Sequence, residues 1–380
     1  MKIDVNSVTF EPQDMAFVKK FGILKATEMV LDYHAEHPNL PFLYDAEQLA
    51  GFLGISRGEL NDIVNHIQKE YKEARLPKKD GTYRSLCVPS IRLRFCQDPI
   101  KEKILPQLPV SKFATAYQKG STTRGNAEPH IGKKFLLKLD ITDFFGSITF
   151  EQVQRTAFNT RYVSRQVGYL LTSLCCKDDS LPQGAATSPA LSNIVMYRFD
   201  DYIGRWCSQR QITYTRYCDD MTFSANRPLY GVYQKVKTML CEMGFELNES
   251  KTHFIGNNSR QSVTGLVVNE KLSIPSGYKR DLRQEVYYAL KFGVEDSILH
   301  GHRSDFIEDG KPICCPTYML HLIGKVQYVL QIEPENLWFK DAQKKLLAYI
   351  YEHYSESLSY YLHFNKNGKG KGMYEQSNPV

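Results

Sequence analysis

No run of 18 or more consecutive apolar residues occurs in this 380-residue chain, so it offers no segment suited to cross a bilayer as a helix. No C-x-x-C occurs among its nine cysteines, which sets aside zinc ribbons and dithiol redox motifs. The cysteines fall as two adjacent pairs, Cys175-Cys176 and Cys314-Cys315, and five singles. That odd, irregular set reads as reduced thiols in a cytoplasmic protein. Met1 to Lys20 contains acids and no apolar core of the kind a secretory leader needs, so export is not expected. Internal repeats are absent. Nor is the composition, 42% hydrophobic and 24% charged, that of a rod, a collagen or a disordered chain. The length suits two or three packed units.

Charge is present but segregated. The net charge is +6, yet residues 1–65 hold 5 Lys/Arg against 10 Asp/Glu, whereas residues 66–134 hold 15 against 6. A basic block of this kind marks either a face for a polyanion or a solvated surface balanced elsewhere in three dimensions.

The pattern divides the chain. Residues 1–65 read as helical, and Leu49 to Val64 resembles a small helix–turn–helix with Ser56 and Glu59 in capping-box positions. Tyr71 to Pro89 reads as a hairpin around the basic turn Pro77-Lys78-Lys79-Asp80-Gly81. Ile91 to Leu105 returns to helical periodicity. Phe135 to Leu139 is a short apolar run that delivers Asp140 at its end, as a buried strand would. Ser188-Pro189 opens the clearest helix, with Ser188 as the expected N-cap. Ile212 to Tyr217, then Asp219-Asp220, then Met221 to Ala225 read as strand, tight turn, strand. An amphipathic helix from Val232 to Met243 is stopped by Gly244, and the chain from Tyr278 is mostly helical. The body is α+β, with helices on one face of a mainly antiparallel sheet.

Three acids stand out: Asp140, Asp219 and Asp220. Any one of them alone is most simply a turn residue bonding its own backbone. Two adjacent acids at a strand junction are harder to set aside, because like charges repel unless a cation lies between them. Carboxylate oxygens suit Mg²⁺, and two such ions about 4 Å apart activate a hydroxyl and stabilise a leaving pyrophosphate.

Tyr217-Cys218-Asp219-Asp220 resembles the Y-x-D-D box of reverse transcriptases. Leu139-Asp140-Ile141-Thr142-Asp143-Phe144-Phe145 resembles their first acidic motif, and Leu181-Pro182-Gln183-Gly184-Ala185-Ala186-Thr187-Ser188-Pro189 resembles their L-P-Q-G-x-x-x-S-P loop. Gly244 to Lys251 resembles the motif that follows, and the four stand in the family's order. Asn126-Ala127-Glu128-Pro129-His130 and Val263-Thr264-Gly265 are similar to the N-A-x-x-H and V-T-G signatures of the retron members. The resemblance covers about Tyr71 to Ile332. Cys218 departs from the commoner Ala of the box, at a position that varies in the family.

By this resemblance Asp140, Asp219 and Asp220 are catalytic and hold two Mg²⁺ ions, with the Ile141 carbonyl adding an oxygen. Asp143 would serve the local backbone. Phe145 would lie under the sugar and exclude a 2′-hydroxyl, with Phe144 in the core. Gln183 and Gly184 would border the nucleotide, Lys78 and Arg84 would grip its triphosphate, and Lys251 would stand by the departing pyrophosphate as a proton donor. Arg124, Asn126, His130, Lys133 and Lys134 are the expected RNA contacts. The C-terminal aromatics, such as Tyr287, Tyr318 and Trp338, suit a core better than base stacking.

The resemblance implies a right-hand polymerase: an N-terminal helical region over 1–65, fingers and palm over 66–275, a helical thumb over 276–365 and a flexible tail over 366–380. It implies RNA-templated DNA synthesis from deoxynucleoside triphosphates. A structured cognate non-coding RNA would be the template, a 2′-hydroxyl within it the primer, and branched msDNA the product. An effector protein for anti-phage defence, and any RNase H, would act in trans. A group II intron-like reverse transcriptase is the nearest rival, and a non-catalytic RNA-binding scaffold the rival of another class. Replacing Phe145 by Ala or Val should allow readier ribonucleotide incorporation; unaltered sugar discrimination in the purified variants would count against that role.

Overall fold

Apolar residues at helical spacing organise the first part of the computed structural model, which describes residues 8–77, 81, 83–301, 303–313 and 315–354. Helices α1 (Met15–Phe21) and α2 (Ile23–Glu36) meet at Gly22, whose φ of +76° turns the chain between them. They enclose Phe17, fully buried among Phe21, Phe42 and Tyr44 with ring centroids 5.1–5.2 Å away. Asp45 caps α3 (Ala46–Leu53) by accepting from the Glu47 and Gln48 amides, and Ser56 caps α4 (Arg57–Asn65) by accepting from the Glu59 amide. Helices α1 to α4 thus fall within residues 8–65, while residues 37–45 between α2 and α3 form no helix.

The expected hairpin is present. Strands β1 (Tyr71–Pro77) and β2 (Tyr83–Pro89) pair antiparallel from Tyr71 opposite Pro89 to Pro77 opposite Tyr83. Most of its turn, including Lys78, lies outside the described residues. Helix α5 (Ile91–Pro99) runs directly into a π-helical turn, Ile100–Ile104. Pro99 has no N–H to give, so the regular ladder is interrupted where the wider turn begins.

After α6 (Thr123–Ala127) comes β3 (Phe135–Asp140), buried at four of its six positions. Helices α7 (Phe150–Thr156), α8 (Arg165–Cys175) and α9 (Ser188–Ser208) follow, then β4 (Thr213–Tyr217), β5 (Asp220–Ala225), α10 (Tyr230–Glu242) and β6 (His253–Gly256). The sheet order is β4-β5-β3-β6. Helix α9 packs against β4, as an amphipathic helix on a sheet should. The expected cap of α9 is corrected: Thr187 is the N-cap residue, and Ser188 is already helical. The Ser188 hydroxyl instead donates to the Pro182 carbonyl at 2.8 Å, tying the loop before the helix to its first turn.

The remaining elements are β7 (Ser262–Val263), β8 (Leu266–Val267), α11 (Ser276–Phe292), α12 (Val294–His300), β9 (Ile307–Glu308), β10 (Lys311–Pro312), α13 (Cys315–Ile332) and α14 (Leu337–His353). The β9–β10 hairpin interrupts the helical run, and its signal is the Asp309-Gly310 pair, both at positive φ (+50° and +74°), as a two-residue hairpin loop requires.

Two compact units result. Among the described residues, the first lies within 1–121 and 137–254 and the second within 122–136 and 255–380. In the second, Ala127 and Leu136 enter one apolar core with Val286, Leu322, Val326 and Leu346. In the first, α8 comes so near the preceding turn that a Cβ on Gly168 would stand 2.2 Å from the Phe158 carbonyl oxygen. Backbone cannot step aside as a flexible side chain can, so Gly168→Ala is expected to cost about 1–3 kcal/mol. Urea unfolding measures this, and an unchanged midpoint would refute it.

Candidate active site

Strand β3 carries apolar residues inward until its last position, where Asp140 stands 6% exposed. Its backbone carries on into the following motif. The Asn248 amide donates to the Asp140 carbonyl at 2.8 Å, and Ile141 pairs antiparallel with Leu247. The β4–β5 hairpin brings the other two acids. Tyr217 opposes Asp220, so the loop is Cys218-Asp219, and Asp220 is the first residue of β5 rather than part of the turn. Cys218 has φ +62°, the positive first position of a two-residue hairpin loop where glycine is usual. The tip docks on β3, with the Ile141 amide donating to the Asp219 carbonyl at 3.3 Å. Ile141 and Asp219, 78 positions apart in sequence, thus meet through backbone contact within the first unit.

The acids feel one another. Burial holds the Asp219 carboxyl above the usual carboxylate range, and the charge of Asp140 adds to this. Burial first, and then Asp219, pushes Asp220 up to about 6, while Lys138 and Lys251 pull the other way. A cation is already at hand: Lys251 Nζ lies 2.9 Å from Asp140 Oδ2 and donates to it. The hydrogen bond to Asp140 holds the Lys251 ammonium above its ordinary value. Among the described residues no three His, Cys, Asp or Glu side chains stand in metal-holding geometry. The donor chemistry nonetheless fits a hard divalent cation: carboxylate oxygens, with Asp219 and Asp220 raised by burial and then by mutual repulsion, beside the ammonium groups of Lys138 and Lys251, which partly offset them.

Asp143 lies on the surface at φ +42°, its carbonyl accepting from the Ser147 amide, as a local turn residue. Phe144 is core, and the neighbouring Phe145 is half-buried with ring centroids 5.6 Å apart. The loop bearing Gln183 and Gly184 lies against β2: the Cys87 amide donates to the Gln183 carbonyl at 2.7 Å. Gly184 has φ +121°, and a Cβ there would come 2.9 Å from the Cys87 carbonyl oxygen. No other residue fits that approach without a shift. Arg84, exposed, stands on the same strand three residues before Cys87.

The expected RNA contacts belong to the second unit. Arg124 is exposed, paired with Glu128 at 3.3 Å and donating to the Gln331 carbonyl at 3.1 Å. Lys134 is exposed and Lys133 half-buried. Asn126 and His130 are interior residues, 1% and 0% exposed, so as placed neither side chain offers a surface to RNA. Instead, the Asn126 amide reaches Thr264 Oγ1 at 3.5 Å, and that hydroxyl donates to the Thr123 carbonyl at 3.1 Å. The two short signatures that resemble retron members therefore touch each other.

Sequence reasoning missed the support beneath the acids. Arg216, in β4, has no exposed side chain, nor has its partner Asp200 of α9. Its Nε donates to Asp200 Oδ1 at 2.9 Å and its Nη2 to Oδ2 at 2.5 Å, while Nη1 donates to the Cys218 carbonyl at 2.8 Å. Tyr214 Oη adds a bond to Asp200 Oδ1 at 2.7 Å. Two signals were available: an arginine inside a strand of threonines and tyrosines, and Asn193 and Asp200 seven residues apart on one face of an amphipathic helix.

The chain matches the family model described as reverse transcriptase (RNA-dependent DNA polymerase) over residues 76–268. It is 29% identical to the retron Ec86 reverse transcriptase of Escherichia coli over 270 residues, covering 70% of this chain and 84% of that protein. The retron Mx65 reverse transcriptase of Myxococcus xanthus is 31% identical over 320 residues, 78% of this chain and 70% of that one. The retron Ec83 reverse transcriptase of Escherichia coli is 33% identical over 233 residues, 57% and 75%.

His130 yields a pH test. Burial, then the charge of Lys133, pushes its pKa down from 6.5 to about 3, so the folded protein keeps it neutral. Below the unfolded value the unfolded chain takes up a proton that the folded chain refuses, and stability falls until the pH reaches the folded value. At pH 5 the loss from this group is about 2 kcal/mol. Urea unfolding at pH 7 and pH 5 should show it, and His130→Gln should remove that part of the slope; equal slopes in both proteins would contradict this.

Proposed function

The chain belongs to the reverse transcriptases, and among them to the retron type, and from that premise we propose that it copies part of a cognate structured non-coding RNA into DNA. It is an RNA-directed DNA polymerase with an RNA template and deoxynucleoside triphosphate substrates. Reverse transcriptases use divalent metal ions; the proposal makes them two Mg²⁺ ions, with a 2′-hydroxyl of the RNA as primer and branched msDNA as product. A separate effector protein in a cytoplasmic anti-phage system completes the reading. Residues 66–275 would serve as fingers and palm, residues 276–365 as thumb.

The observation that supports this best is the meeting of Asp140, Asp219 and Asp220 with Lys251 in one unit. Those three carboxylates and the Ile141 carbonyl would hold the ions. When bound, the ions lower the pKa of the attacking hydroxyl and neutralise the leaving pyrophosphate. The chain's own residues do the rest. Lys251 would release Asp140 and give its proton to the pyrophosphate. The Phe145 ring would bar a ribose 2′-hydroxyl. Gly184, pressed against Cys87, would leave its backbone open to the nucleotide, and Arg84 would offer the triphosphate a bidentate fork. Lys78 has the same proposed task but lies outside the described residues. Arg124, Lys133 and Lys134 would meet RNA phosphates.

Incorporation of radiolabelled deoxynucleotide on a generic RNA template tests the enzyme. Asp219→Asn with Asp220→Asn should reduce it at least about a thousandfold. Synthesis surviving that change would overturn the assignment of the acids, and no synthesis by the native protein would favour a binding scaffold. Co-expression with the adjoining genomic DNA should yield a branched RNA–DNA product; a linear product only would remove the 2′-hydroxyl priming.

A further inference from the structure

Cys218, between the box tyrosine and the two acids, is held from two sides, and its thiol also bonds the Asp219 carboxyl. Its carbonyl receives Arg216 Nη1 at 2.8 Å, and its Sγ receives the Tyr117 hydroxyl at 3.0 Å. These holds share a support. Arg216 Nη2 donates to Asn193 Oδ1 at 3.1 Å, and the same amide's Nδ2 donates to the Ala116 carbonyl at 2.8 Å. Ala116 precedes Tyr117, so the backbone closes a ring: Tyr117, Cys218, Arg216, Asn193, Ala116.

The ring's two turning points are both non-glycine residues at positive φ, Tyr117 at +61° and Cys218 at +62°. Such conformations persist where the surroundings over-determine them. Here they do so from both ends. The segment before Tyr117 is laced to β4, with the Arg216 amide donating to the Phe113 carbonyl and the Thr115 amide to the Arg216 carbonyl, each at 2.8 Å. Arg216 and Asn193 are buried, whereas Tyr117 is 46% exposed. A tyrosine so placed could satisfy its hydroxyl with water, yet it points to a sulfur, a weak acceptor. What the contact supplies is therefore position more than strength. The resemblance puts Ala at the Cys218 position more often, and an alanine there could not receive this bond.

We propose that Tyr117 is a positioning residue for polymerisation: through Cys218 it closes a hydrogen-bonded ring that fixes the left-handed turn, and with it the setting of Asp219 and Asp220. The proposal rests on the polymerase reading above. It assigns Tyr117 no contact with substrate.

Two small changes open the ring at its solvent side. Tyr117→Phe removes one oxygen, and Cys218→Ala removes the sulfur. Each should lower kcat for single-nucleotide addition about three- to tenfold, with KM for the nucleotide and Kd for the RNA within about twofold of the native values. Cys218→Ala also removes the thiol's bond to the Asp219 carboxyl, so it should be the slower single variant, and the double variant should be no slower than it, since without the sulfur Tyr117 has no link left to lose. Amide hydrogen exchange in the free protein gives a second readout, needing no substrate: the amides of Cys218 to Asp220 should exchange faster in all three variants, with the thermal midpoint unchanged. Losses that multiply, losses in KM or RNA affinity, or native rates and native exchange would each overturn the proposal. Faster exchange beside a native protein that adds no nucleotide would keep the ring, remove its catalytic role and overturn the polymerase reading instead.

Discussion

A guanidinium taken fully out of water must be paired, or the strand that carries it cannot stay where it is. Arg216 meets that demand with the Asp200 carboxylate, and Asp200 is in turn satisfied by Tyr214. Because Arg216 sits in β4 and Asp200 in α9, the pair fixes the register of strand against helix. The guanidinium has one arm left, and it reaches the carbonyl of Cys218. The place of the β4–β5 hairpin is thus set by an electrostatic requirement that arises three residues before the first of its acids. Replacing both partners by apolar residues of similar shape could preserve stability, but the turn would lose the bond that Arg216 makes to the Cys218 carbonyl.

The acids pose the opposite problem. Burial, and then the neighbouring carboxylates, make the Asp219 and Asp220 carboxyls resist ionisation, and Lys251, with Lys138 at Asp220, offsets this in part. The lysine side chain remains largely exposed, at 60%. That is what a counter-charge needs if it is to yield its place: an ammonium anchored on one oxygen, with water at hand to receive it. Deep burial would have made the same pair permanent.

Much of this was legible in the residues. Asp140 followed from an apolar run that ends in an acid, and the hairpin from two β-rich runs around Asp219. Both depend on patterns local in sequence, where the physics is also local. What stayed hidden depends on pairing over distance. Nothing within reach of Arg216 in sequence says that Asp200 will neutralise it. Asn126 and His130 looked like polar residues of a basic region, but the second unit folds over them, so they are interior. Ser188 had the chemistry of a cap and was drawn to the Pro182 carbonyl instead. The one-residue shift of Asp220 from turn into strand follows from the two-residue loop, which only the register with Tyr217 reveals.

The second unit is assembled from two stretches, 122–136 and 255–380, with 137–254 between them. Ala127 and Leu136 find their apolar neighbours among Val263, Leu322 and Val326. On the ribosome, then, the short early stretch emerges long before anything that can cover it. At about 5–20 residues per second, the intervening residues take on the order of ten seconds to translate. During that interval Leu136 has no core to enter, and the nascent chain needs either the cover of a chaperone or a first unit that folds promptly enough to keep the orphaned stretch from straying.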